Sequence, residues 1–140
     1  MRKFQIIFLL FICACSSAKH SNVEIEDAMS HYNNLILNLD ADSISKLFIE
    51  KGNLGDIAIG RDSIKAFLLS FKNIKVLSQT SITKSITISK DIAFQEGSYS
   101  QTDLIGGKDT VSVKGIFSCI WEWNKKDGWL IRKMTTKTEK

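Results

Sequence analysis

The chain has 140 residues, enough for one domain of ordinary size and too few for two independent cores. A hydrophobic share of 44% and a charged share of 24% exclude both a disordered chain and one built to span a membrane. The net charge of +4, part of it from Arg2 and Lys3, and lysines without an aromatic-interleaved stripe argue against a nucleic-acid partner.

Arg2 and Lys3 precede an apolar run from Phe4 to Ile12, broken only by Gln5. Nine residues are too few to cross a membrane, which takes roughly 20, and the layout is that of a secretory signal. Ile12, Cys13, Ala14 and Cys15 resemble the bacterial lipobox: an aliphatic residue stands three before the cysteine and a small one just before it. On this reading residues 1–14 are a lipoprotein signal peptide. Residues 15–21 are then the lipidated Cys15 with a polar tether that includes His20, and residues 22–138 are the domain. Palmitate-like chains, at about 0.8 kcal/mol per buried CH₂, would hold the protein in the bacterial cell envelope, at the outer membrane or its periplasmic face. The other reading is an ordinary secretory signal in which Cys15 is incidental. If the leader is cleaved and Cys15 lipidated, Cys119 is the one thiol left, and no intramolecular disulfide can form.

Ser21 followed by Glu24 reads as a capping box that starts a helix. Ile25, Ala28, Met29, Tyr32, Leu35, Ile36 and Leu39 then recur at three and four, one apolar stripe along it, with His31 off the stripe. Asp40 or Asp42 can cap a second, shorter helix whose buried edge is Ile44, Leu47 and Phe48. Gly52 to Gly60, with three glycines in nine residues, reads as a turn-bounded strand or hairpin. A third helix opens at Arg61, with Ile64, Phe67, Leu68 and Phe71 on one face.

From Lys75 the period changes to two. Val76, Ile82, Ile86 and Ile88 form an apolar face opposite a mostly hydroxyl one. Ile92 to Thr102 is a second run with Gly97 as a bulge or bend, and Asp103 to Asp109 is a turn. Val111 to Lys133 is the densest stretch: Val111, Val113, Gly115, Phe117, Cys119, Trp121 and Trp123 make one face of a strand. A loop closed by Asp127 and Gly128 leads into its partner. Helices followed by strands predict an α+β fold, with three N-terminal helices packed on a curved, mainly antiparallel sheet.

This order resembles the SnoaL-like branch of the nuclear transport factor 2-like superfamily, a cone of curved sheet around a long helix. The resemblance rests on Ala28, Met29 and Tyr32 with Asp40, on GRDSIKAF from Gly60 to Phe67, and on WEWNKKDGWLI from Trp121 to Ile131. Among enzymes of that superfamily the chain is similar to ketosteroid isomerase from Tyr32 to Asp56. The resemblance implies Tyr32 as oxyanion donor and Asp56 as proton-shuttling base. The third group of that enzyme falls near Cys119, and a thiol is a poor donor.

Two functions therefore stand open. One is a membrane-tethered, non-catalytic module that binds a small apolar ligand in its cone, or a protein partner. The other is a small enolising isomerase or dehydratase using Asp56 and Tyr32. Phe117, Cys119, Trp121 and Trp123 either line the pocket or fill it, and a filled cone is the simpler expectation. Ile116 and Ile120, on the opposite sheet face among Ser118 and Glu122, could support a homodimer. No cofactor is implied, and no His, Cys or acidic cluster has metal-ligand spacing.

Overall fold

The computed structural model describes residues 19–139; the signal segment and Cys15 lie outside the described residues. Helix α1 (Asn22–Asn38) follows the expected stripe, burying Ile25, Met29 and Ile36 and packing Ala28, Tyr32 and Leu35 against the same core. Its first turn departs from the capping box. Ser21 takes the N-cap position with extended backbone, but its side chain caps nothing. The Glu24 carboxylate is drawn elsewhere: it accepts from the Trp129 indole at 3.0 Å and lies 2.8 Å from His20 Nδ1. A half-buried charge-assisted pair outcompetes an exposed cap.

Leu39 ends the helix in the left-handed region, at φ 46°. Asp40 then caps α2 (Ala41–Lys46) by accepting from the Ser43 amide at 3.0 Å. This helix is shorter than the periodicity predicts, because Phe48 belongs to the next strand, β1 (Phe48–Leu54). The reason is long-range: β1 runs parallel to β6 (Gly128–Thr138), with Phe48 opposite Ile131 and the Ile131 amide donating to Leu47 O at 2.7 Å. Strand β2 (Ala58–Ile59) closes a small hairpin with β1, and α3 (Arg61–Leu69) follows, burying Ile64 and Leu68. Strands β3 (Ile74–Ser89), β4 (Ile92–Ile105) and β5 (Asp109–Asn124) complete one six-stranded sheet ordered β2-β1-β6-β5-β4-β3. Every pairing except β1 with β6 is antiparallel. The architecture is α+β, with three helices packed on a curved mixed sheet.

Strand β5 keeps the expected alternation: Gly115, Phe117, Cys119 and Trp121 are buried, while Val111, near the strand's start and beyond the core, is exposed. Strand β3 does not. Its register with β4 shifts between Val76 and Ser78 and again between Thr83 and Ser85. Each bulge inserts a residue and reverses the phase. Val76, Ile86 and Ile88 face the core as expected, but between the bulges the inward positions are Gln79, Ser81 and Thr83. Ile82, expected inside, is 71% exposed.

Neighbouring strands crowd most closely at two glycines. A Cβ on Gly97 would lie 2.1 Å from Ile82 O, and one on Gly115 would lie 2.2 Å from Lys137 O. Only glycine permits so close an approach between neighbouring strands.

A hydrogen-bonded line runs from the core to the surface at this level. The Trp121 indole donates to Gln95 Oε1 at 3.0 Å, Gln95 Nε2 donates to Thr83 Oγ1 at 2.9 Å, and Thr83 Oγ1 donates to Glu26 at 2.9 Å. Trp121 and Gln95 are among the most enclosed side chains of the fold. Gln95→Leu keeps the volume but orphans a buried indole N–H. It is expected to lower unfolding free energy by ~1 to 3 kcal/mol in urea denaturation; an unchanged midpoint would show that the line is dispensable.

Candidate functional site

The cone is not filled. A cavity of about 370 Å³ opens there between α1, α3, the β1–β2 turn and the inner face of β3 to β6. Its walls are mostly apolar: Met29 and Ile36 from α1, Phe67 and Leu68 from α3, Phe71 beyond it, and Val113, Phe117 and Met134 from the sheet. One side is polar, where Tyr32, Gln79, Ser81, Gln101 and Asp103 meet.

Each polar group is placed by its element. Tyr32 sits on the buried stripe of α1, half-buried with its ring open to the cavity. Burial pushes its phenol well above the ordinary value of 10, and the nearby Cys119 adds to the rise. Its hydroxyl makes no hydrogen bond to another side chain among the described residues, so it is free to meet a guest. Gln79 and Ser81 face inward because of the β3 bulge, and both donate to Asn33 Oδ1 of α1, at 3.3 and 3.0 Å. Gln79 Oε1 is enclosed and has no partner among the described residues. Gln101 Nε2 donates to both Asp103 carboxylate oxygens at 2.9 Å.

The residues expected from the sequence are divided by the structure. Tyr32 and Phe117 line the cavity. Cys119, Trp121 and Trp123 do not: Cys119 and Trp121 are enclosed in the core, and Trp123 turns to a separate groove that Trp121 also borders. The Cys119 thiol is pushed up by burial and stays protonated. Asp56 is not brought to Tyr32. It sits at φ 59° in the β1–β2 turn, exposed, with Asn53 Nδ2 at 2.8 Å and Lys133 Nζ at 2.9 Å. The hydrogen bond from Lys133 holds its carboxyl below the usual range. Its neighbours Gly55 and Ile57 line the mouth, while its own carboxylate does not.

The polar strip of Gln79, Ser81, Gln101 and Asp103 was not singled out from the sequence. For β4 a signal existed: Gln101 and Asp103 share the odd phase of Ala93, Gly97 and Tyr99. For β3 the bulges hide it.

A second, open groove of about 480 Å³ lies at the hairpin end, bordered by Glu24, Asp27, His31, Trp123, Asp127 and Trp129. His20 packs beside it, its ring 4.4 Å from that of Trp123 and 4.8 Å from that of Trp129. Among the described residues no group of three or more His, Cys, Asp or Glu side chains is placed to hold a metal ion.

Solved structures share this architecture. A ketosteroid isomerase-like protein from Erwinia carotovora atroseptica superposes with a TM-score of 0.73 at 18% identity, covering 84% of this chain and 95% of its own. ActVI-ORFA from Streptomyces coelicolor gives 0.70 at 14% identity, over 84% and 96%. A conserved protein from Planctomyces limnophilus gives 0.74 at 10% identity, over 84% and 96%. The chain thus has the nuclear transport factor 2-like fold. No family model matches it, and no curated protein matches it in sequence.

Because the fold favours the neutral Tyr32 phenol, the unfolded chain loses that proton first, and stability falls as pH rises above 10 toward the raised folded value. Tyr32→Phe is expected to remove this part of the decline between about pH 10 and 12 in denaturant titrations. Parallel wild-type and variant curves would show that the phenol is not held neutral.

Proposed function

We propose that this chain is a membrane-tethered binding module which takes a small apolar molecule into the wide end of its cone and does not transform it. The observation that carries the reading is the cavity: an apolar enclosure of about 370 Å³ with a few convergent polar groups on one side, the usual build of a small-molecule site. The position of Asp56 favours binding over enolisation. A base must reach the carbon-bound proton, and this carboxylate is turned to solvent and paired with Lys133.

The tether in this proposal is lipid on Cys15, supported by the Ile12 to Cys15 pattern, and the address is the bacterial cell envelope. The same reading allows a second copy on the outer sheet face, where Phe94 and Ile116 are exposed beside Ile120.

Three measurements test it. Full-length chain in detergent, with a micelle blank, should raise the emission of N-phenyl-1-naphthylamine. Val113→Trp, which fills the cavity, should weaken that binding roughly tenfold or more, the equivalent of about 1.4 kcal/mol; undiminished binding would place the probe elsewhere. Metabolic labelling with a palmitate analogue should mark the native chain and not Cys15→Ala, and equal labelling would remove the anchor from the proposal. Sedimentation of the full chain in detergent that shows only monomers at every concentration would remove the second copy.

A further inference from the structure

We infer that the domain stands with its β5–β6 hairpin end against the lipid bilayer and its cavity opening away from it, so that guests enter from the aqueous side. This rests on the lipid anchor proposed above. Three segments of the chain converge at His20. Its ring lies against Trp123 and Trp129 beside the β5–β6 turn, its Nδ1 is 2.8 Å from Glu24 in the first turn of α1, and its Nε2 is 3.9 Å from Asp91 in the β3–β4 turn. The Trp123 amide donates to Asp91 O at 2.8 Å, which ties the two turns together. The side that leads to Cys15 is therefore fastened to one end of the fold.

Cys15 stands five residues before His20, and at a full extension of about 3.6 Å per residue the two are held within about 18 Å of each other. The cavity is built from the other end of the same elements. Its lining takes Met29, Tyr32, Ile36 and Leu39 from α1, Val113 near the start of β5 and Thr136 near the end of β6. From Asn22 to Ile36 the helix rises about 21 Å, and from Asn124 back to Val113 the strand runs about 36 Å. The tether is thus shorter than the fold is long, and the end it holds at the membrane is the one that carries His20. Lys19, Lys90, Lys125 and Lys126 are offset there by Glu24, Asp27, Asp91 and Asp127, so the anchor and its pin, rather than net charge, set the orientation. A half-buried Trp123 beside the turn suits the headgroup level.

Energy transfer in vesicles tests the orientation. The full chain is reconstituted into phosphatidylcholine vesicles that carry a small fraction of rhodamine-headgroup lipid. Lys126→Cys, in the β5–β6 turn, and Lys108→Cys, in the β4–β5 turn, are each labelled with a dansyl donor; Cys119 is buried, and the unsubstituted chain gives the labelling blank. The two exposed sites flank β5, a strand of 16 residues. With about 50 Å of strand between them, transfer to the bilayer is expected to be at least about twofold greater from the Lys126→Cys label. Equal transfer, or more from the Lys108→Cys label, overturns the orientation while the anchor and the binding module stand. Adding His20→Ala should bring the two values together, with a thermal melt to check folding; a difference that persists overturns His20 as the pin. If the chain does not float with the vesicles, or Cys15→Ala floats equally, the anchor itself fails, and this inference with it.

Discussion

The fold depends on a polar connection through its apolar centre, from the Trp121 indole through Gln95 and Thr83 to Glu26 on α1. It links β5, β4, β3 and the long helix in turn, so it constrains their relative depth as well as their pairing. Trp121 and Gln95 are enclosed, and in that low-dielectric interior each must find its partner or incur a desolvation cost, while the line ends at the exposed Glu26. A one-residue slip of any strand would break the line. Its buried half, Trp121 and Gln95, lies beside the enclosed Cys119, while Tyr32, Phe117 and residues of α3 border the open cavity.

The same economy of polar groups shapes the cavity. Two bulges in β3 turn Gln79, Ser81 and Thr83 inward over a short stretch and then restore the apolar phase at Ile86. Without the first bulge, Ile82 would face the helix, and Gln79, Ser81 and Thr83 would turn away from α1. With it, Asn33 and Glu26, two turns apart on α1, find partners on β3. The bulge thus docks the helix and equips the site together, and the cavity's polarity follows from how the helix is held.

Where the local pattern and the tertiary structure agree, the sequence could be read closely. The period-two face of β5 and the stripe of α1 persist in the structure because both bury one face continuously, and Asp40 caps α2 because an N-cap is satisfied within four residues. The readings that changed depend on distant partners. Phe48 reads as helix until Ile131 is known to lie beside it. Glu24 reads as part of a capping box until the Trp129 indole, far along the chain, is known to reach it. For the site, residue type and spacing identified Tyr32 and Phe117, but spacing cannot tell which way a turn residue points. Asp56 adopts the left-handed backbone of its turn, and Lys133 on the neighbouring strand holds it outside.

His20 gives the entry of the chain a mechanical character. Its ring lies against Trp123 and Trp129 and its Nδ1 meets Glu24, with only a tenth of the side chain accessible. The chain just before α1 is therefore pinned at once to the β5–β6 hairpin, through the two indoles, and to the first turn of α1, through Glu24. The first turn of α1, which has no side-chain cap of its own, is thereby clipped to a strand more than a hundred residues further along the chain, where the Trp129 indole shares the same carboxylate.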